Sequence, residues 1–158
     1  WEADQKENAG LHLLIETQDG RVQGVVNMHT IDWGRSTAHM GYWLSTELQG
    51  MGVATAAVNW LTNFALTTMK LDHVDISTRV DNFKSRAVAE RAGFSLRPEI
   101  IDTEWVPNED ATNYTQIPLC VYIRSADDRT PKYPLHLARP NYFYSSITNP
   151  SSRIHLSL

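Results

Sequence analysis

The sequence predicts an α+β fold, in which a meander of antiparallel strands is followed by helix, strand, helix and a closing pair of strands, the helices laid on the sheet. Three observations lead there. Short apolar runs divided by turn residues fill 11–44, apolar side chains recur at spacings of three and four from Val53, and alternation resumes at Val74.

Taken in order, the polar piece Glu2 to Gly10 reads as the end of a helix, and Leu11-His12-Leu13-Leu14-Ile15-Glu16 as a strand. Gln18-Asp19-Gly20 turns the chain into a second strand, Arg21 to Met28. The connection Asp32 to Ser36 leads to a third strand, Thr37 to Leu44. Val53, Ala57, Trp60, Leu61, Phe64 and Ala65 share one helical face, which is expected to pack on the sheet. Val74, Ile76, Thr78 and Val80 alternate with Asp75, Ser77 and Arg79, the period of a strand buried on one side. Asn82 suits an N-cap, Val88 and Ala92 share the inner face of the helix that follows, and Gly93 is placed to end it. Arg86 and Glu90 are expected to pair on its outside. A strand from Phe94 to Trp105, interrupted near Pro98, and a last strand from Tyr114 to Ile123 complete the pattern. Pro118 in that last strand lacks an N–H and predicts a bulge or a shifted register. From about Ser125 the periodicity is lost among Asp127-Asp128 and four prolines, so a tail without helix or strand is expected, its aromatics Tyr133, Tyr142, Phe143 and Tyr144 free to dock on the domain or on a partner.

Composition narrows the partners. The chain has 158 residues, 42% hydrophobic and 20% charged, enough for one domain with a core. Its 14 Lys and Arg against 18 Asp and Glu leave a net charge of -4, which argues against general affinity for nucleic acid or anionic membrane. With one cysteine, Cys120, and no apolar run of bilayer-spanning length, a reducing cytoplasmic setting is expected. The histidines His12, His29, His39, His73, His136 and His155 show no metal-ligand spacing, so no metal is expected and they read as structural or solvent-exposed.

The chemistry concentrates at Gln49-Gly50-Met51-Gly52-Val53-Ala54, between the third strand and the first long helix. The first N–H groups of a helix have no intrahelical acceptor, and glycines let the backbone approach a ligand closely, so the junction reads as a diphosphate site. A dinucleotide-binding turn would need a third glycine where Thr55 stands, and an NTPase loop needs Gly-Lys-Ser/Thr, which does not follow Gly52.

This turn, the run Gly41-Tyr42-Trp43-Leu44 and the stretch from Arg79-Val80-Asp81-Asn82 through Ser85 to Ala89-Glu90-Arg91-Ala92-Gly93-Phe94 together resemble the GCN5-related N-acetyltransferases (GNAT), most closely the branch that acetylates N-termini of ribosomal proteins. The turn is similar to the family's Gln/Arg-x-x-Gly-x-Gly/Ala signature, and Asn82 to Phe94 to its second cofactor segment. The resemblance covers Leu11 to about Ile123. It implies a mixed, mostly antiparallel sheet splayed open between the strand ending at Leu44 and the strand from Val74, with flanking helices and acetyl-CoA in the opening. Residues 1–124 are then the acetyltransferase domain and 125–158 an irregular tail.

By the same resemblance, Trp43 and Leu44 pair with the pantetheine arm, Gln49, Gly50, Met51, Gly52, Val53 and Ala54 surround the pyrophosphate, and Asn82 and Ser85 flank the arm and the sulfur. Lys84 and Arg86 stand within reach of outer phosphates and read first as solvated surface charge. An α-amine with a pKa near 8 or a lysine near 10.4 is mostly protonated at neutral pH, so attack on a thioester needs a base. The resemblance puts that base at Glu104, with Trp105 beside it as an apolar wall, and Ser85 near the departing thiolate. N–H groups near Trp43 and Leu44 are candidates to hold the developing oxyanion. Attack is expected to be direct, with Cys120 unacetylated and Tyr42 and Tyr114 as alternative proton donors.

The expected activity is acetyl transfer from acetyl-CoA to a primary amine, a protein or peptide N-terminus before a small molecule. A CoA-binding member without turnover, or a small-molecule amine acetyltransferase, is the alternative. The strand and two helices with which the family domain begins are expected to be absent. The acceptor side would then belong to a longer protein, or be filled by the tail, or be completed by a second copy in a homodimer.

Overall fold

The computed structural model describes residue 7, residues 9–128 and the backbone of two short strands at 143–144 and 153–157. The helix end read over Glu2 to Gly10 lies largely outside the described residues, as do Tyr133 and Tyr142.

The meander forms where alternation requires it. β1 (Leu11–Glu16) pairs with β2 (Val22–Asp32), and β2 with β3 (Thr37–Leu44), both antiparallel. The first turn closes on Gly20, whose φ of 80° lies in the left-handed region. β2 runs on past Met28 to Asp32, through a register shift between His29 and Ile31 where Thr30 takes φ 61°. After a 3-10 turn at Thr46–Leu48 come α1 (Val53–Thr67), β4 (His73–Arg79), α2 (Phe83–Arg91), β5 (Ser95–Leu96), β6 (Asp102–Pro107) and β7 (Tyr114–Ser125). β8 (Phe143–Tyr144) and β9 (Arg153–Ser157) follow, two strands in the segment where no periodicity is legible. The sheet order is β5-β7-β4-β3-β2-β1-β9-β8, with β6 also on β7.

Both helices lie on one face of this sheet. The inward side chains Val26, Met28, Ala38, Met40, Val74 and Ile76 pack with Ala57, Val58, Leu61, Ala65, Val88 and Ala89 in a single buried cluster. Arg124 on β7 is buried among them and joins the two helices: its guanidinium donates to Asn59 Oδ1 (2.7 Å), to Asn63 Oδ1 (2.9 Å) and to the Ala92 carbonyl (3.0 Å). The opposite face of β2, β3 and β4 carries His29, His39, Asp75 and Ser77 by the same alternation, and no helix among the described residues covers it.

β3 and β4 are parallel neighbours over three positions only, Thr37↔His73, Ala38↔Val74 and His39↔Asp75. Beyond them the pairing stops, so Met40–Leu44 and Ile76–Arg79 form the two walls of a wedge whose apex is His39 and Asp75. This is the splayed sheet expected from the sequence.

Besides the longer β2 and the two strands in the tail, four details differ from expectation. Val80 lies past the end of β4 and is exposed, because the strand has already turned toward Asn82. Arg86 and Glu90 do not pair directly: Arg86 Nε donates to the Tyr122 hydroxyl (3.1 Å), which donates to Glu90 Oε1 (3.1 Å). Pro118 causes no bulge, since β6 steps evenly along β7 from Asp102↔Leu119 to Pro107↔Tyr114. β4 pairs with β7 only from Leu119 onward, so Pro118 sits where β7 has one neighbour and the missing donor breaks no second ladder. Trp105 does not wall Glu104, because neighbours on a strand face opposite ways, and its ring is exposed. The break near Pro98 is present, as the gap between β5 and β6.

Among the described residues no helix is long and apolar enough to cross a membrane.

Candidate functional site

The wedge opens into a cleft of about 960 Å³ between the end of β3, the turn after it and the first turns of both helices. Trp43 and Leu44 line it from β3, Gln49, Gly50 and Gly52 from the turn, Val53 and Ala54 from α1, and Asn82 and Ser85 from α2. Of the residues expected around a cofactor, Met51 alone is not in the lining. Tyr42, Leu48, Thr55, Phe83, Lys84, Ala87, Val88 and Arg91 complete it.

The helix start supplies donors. Gly52 precedes α1 at φ 83°, and Gly50 has φ 76°. No side chain caps this end and the first helical bond runs from Ala56 N–H to the Gly52 carbonyl, 3.0 Å, so the amides of Val53, Ala54 and Thr55 have no acceptor within the helix. A Cβ at Gly50 or Gly52 would meet nothing within 4 Å. Open space before free amides and the positive end of a 15-residue helix fits a diphosphate. The second wall is the free edge of β3, whose backbone groups beyond His39 have no strand partner on the β4 side.

Side chains close the cleft at both ends. Lys84 Nζ donates to Gln49 Oε1 (3.1 Å), joining α2 to the turn at the outer end, which places Lys84 at the mouth. Arg86 points elsewhere, to Tyr122 and to the Val80 carbonyl. Deeper in, Asn82 accepts from Ser85 N–H (3.1 Å) as the α2 cap, and the Tyr42 hydroxyl lies 2.7 Å from Ser85 Oγ and 3.0 Å from the Ser85 carbonyl. Burial raises the Tyr42 pKa above its usual 10, against the lowering effect of the Ser85 hydrogen bond, so the phenol stays protonated at neutral pH. Tyr42 and Ser85 thus form a hydroxyl pair bridging β3 and α2. Tyr114, the other tyrosine considered, is exposed at the start of β7 and outside the lining.

Glu104 is on β6 and outside the lining, with β7 and β4 between it and the wedge. Its Oε1 accepts from Arg79 Nε, and both side chains are about two-fifths exposed, 40% and 44%. Cys120, half-buried on β7, is likewise outside the lining.

Another cluster lies at the wedge apex. His29, His39 and Asp75 are successive register partners across β2, β3 and β4, so their side chains stand in one row on the uncovered face. His39 Nδ1 is hydrogen-bonded to Asp75 Oδ2, and the His29 and His39 rings meet edge to face at 4.7 Å. The Asp75 bond raises the His39 pKa above 6.5, with desolvation opposing it, whereas desolvation and then the His39 charge lower that of His29. Sequence spacing does not reveal this row, because its members are distant in the chain and meet only through strand register. Among the described residues no group of side chains has the make-up of a metal site.

Comparison with known proteins agrees with this geometry. Residues 1–95, more than half of the chain, match the family model for the acetyltransferase (GNAT) domain. YdaF of Bacillus subtilis is 41% identical over 76 residues, 48% of this chain and 42% of that protein. The ribosomal-protein-serine acetyltransferase of Escherichia coli is 32% identical over 96 residues, 60% of this chain and 54% of that protein. The chain therefore spans about half the length of these relatives. Among solved structures, the microcin C7 self immunity acetyltransferase MccE, in complex with acetyl-CoA and AMP, superposes with a TM-score of 0.61 at 28% identity, covering 78% of this chain and 64% of that one. By its sequence match and by its splayed sheet, the chain belongs to the acetyltransferase (GNAT) domain family.

Proposed function

We propose that the protein transfers an acetyl group from acetyl-CoA to a primary amine, with the N-terminus of a protein or peptide as acceptor and ribosomal proteins as the first to test. The observation that carries this is the uncapped start of α1 behind Gly50 and Gly52, facing a cleft that continues along the free edge of β3. The name of the Escherichia coli relative supports the choice of acceptor.

In this reading the amides of 50–54 hold the pyrophosphate and Lys84 adds charge at the mouth. The edge groups of Trp43 and Leu44 hold the amide-bearing arm, and Asn82 orders the start of α2. Acetyl-CoA supplies an acetyl group activated as a thioester. The hydroxyl pair Ser85–Tyr42 stands where the thiolate would depart and can pass it a proton, Tyr42 being the stronger acid of the two. Glu104, held by Arg79, lies on the uncovered face, from which an acceptor can approach without displacing the cofactor. Cys120 takes no part, since attack on the thioester is direct.

Calorimetric titration with CoA, followed by thiol-release assays on serine- or alanine-initiated peptides and on spermidine, tests the reading. Saturable CoA binding with peptide acetylation is expected. Preference for spermidine would move the enzyme to the small-amine class, and CoA binding without any transfer would make it a binding protein only. Absence of CoA binding would remove the acyl-transfer reading altogether.

A further inference from the structure

We propose that His39, oriented by Asp75 at the apex of the β3–β4 wedge, takes the proton from the incoming amine. The inference rests on the acetyl-transfer reading and names the group that reading requires.

Position comes first. A chain held by the amides of 50–54 and by the edge of Trp43 and Leu44 runs back along β3 toward the apex, so its reactive end lies by Tyr42, the innermost lining residue of β3, with Gly41 and His39 next along the strand beyond the lining. His39 is two residues before Gly41 and on the same face of β3, about 7 Å along the strand at ~3.3 Å per residue, so an amine beside Gly41 lies within reach of the ring through one water. Among the described residues both helices cover one face, which leaves the other for an incoming amine, and His39 stands on that face. Gly41, the next residue on that face, adds no side chain of its own, and Asn27 and His29 of β2 close over it on one side. A Cβ there would lie 2.9 Å from Asn27 Oδ1 and 3.2 Å from the His29 ring. Glu104 lies on β6, across β7 from the β4 wall, and its carboxylate is engaged by Arg79 at the far end of that wall from the apex.

Proton state comes second. An ionised carboxylate only accepts hydrogen bonds, so the bond to Asp75 puts the proton of neutral His39 on Nδ1 and the lone pair on Nε2. The groups facing the ring are His29 from β2, Asp75 from β4 and, at longer range, Asp102 from β6, with His12 of β1, the register partner of Asn27, diagonal to His29. The carboxylates favour the imidazolium, and His29, its own pKa lowered, stays neutral beside it. An imidazole whose pKa is raised above 6.5 by a carboxylate is a stronger proton acceptor for the exchange.

The step balances. Nε2 of His39 removes one proton from the ammonium. The freed nitrogen pair forms the C–N bond to the acetyl carbon, the C–S bond breaks with its electron pair going to sulfur, and a second amine proton passes to the thiolate through Ser85 and Tyr42. The proton on His39 returns to water.

The test uses the intact chain, a serine-initiated peptide, and the variants His39→Gln, Asp75→Asn and Glu104→Gln, each checked for folding and CoA binding by titration. The parent is expected to show an acid limb in kcat/KM above pH 6.5. In His39→Gln, kcat/KM at neutral pH should fall on the order of 100-fold, with the remaining rate rising with pH as the amine itself deprotonates. In Asp75→Asn the limb should move to lower pH. Imidazole NMR titration without substrate gives an independent readout: the His39 pKa should lie above that of a model histidine and fall in Asp75→Asn. An acid limb that survives in His39→Gln and is lost in Glu104→Gln overturns the inference and returns the role to Glu104, and an unshifted His39 titration in Asp75→Asn overturns the role of Asp75. A parent that binds CoA yet acetylates no amine overturns the acetyl-transfer reading instead.

Discussion

At the scale of single residues, two glycines in the same backbone region separate conformation from ligand contact. Gly20 and Gly52 have φ of 80° and 83°, and in both an added Cβ meets nothing. Gly20→Ala and Gly52→Ala should therefore each lose about 1–2 kcal/mol in chemical denaturation, the usual penalty for an L side chain in the left-handed region. Only Gly52→Ala should also weaken CoA binding, in calorimetric titration. Equal CoA affinity in both variants would show that the pyrophosphate lies elsewhere. His39 gives a prediction whose sign follows from its raised pKa. A group with a higher pKa in the folded state stabilises fully below its unfolded value near 6.5, and this contribution disappears as pH rises through the folded value. His39→Gln should thus lower Tm more at pH 6 than at pH 8.5, and a Tm loss independent of pH would count against the His39–Asp75 ion pair. His29, with its pKa lowered, works the other way, contributing above 6.5 and losing that contribution as pH falls.

At the scale of elements, α2 depends on its cap. Asn82 satisfies Ser85 N–H and also lines the cleft, so Asn82→Ala should cost about 1 kcal/mol in stability and in addition reduce CoA affinity. Asn82→Ser, which can cap through its hydroxyl, should restore most of the stability, and comparing the two in denaturation and CoA titration separates capping from ligand contact. The bounds of β3 and the starts of α1 and β4 are legible because each follows a single period. The apolar spacing from Val53, the run to Leu44 and the alternation from Val74 each report one buried face. β2 was read short because its last residues, past the bulge at Thr30, carry no alternation. The Arg86–Glu90 expectation failed for a different reason: i,i+4 spacing says that two side chains are near each other, but not that a tyrosine hydroxyl from β7 stands between them.

At the scale of the whole molecule, Arg124 determines how the two cleft-forming helices sit on the sheet. Its bonds to Asn59, Asn63 and the Ala92 carbonyl span α1, α2 and β7, so Arg124→Met should destabilise by about 2–4 kcal/mol. Because both helices line the cleft, CoA affinity measured by titration under folded conditions should fall as well. Unchanged affinity would mean that the helices hold their places without it. The chain by itself determined the α+β order, the glycine turn at the start of α1 and the family, because strand and helix periods, glycines at a helix start and the Asn82 cap are local patterns that no distant contact has to complete. Tertiary structure alone decided which groups share a space: that Glu104 is engaged by Arg79 away from the cleft, that Tyr42 meets Ser85, and that His29, His39 and Asp75 form one row at the apex. The physical reason is that sheet neighbours are chosen by register between strands far apart in sequence, and a proton can move only between groups that such register has brought together.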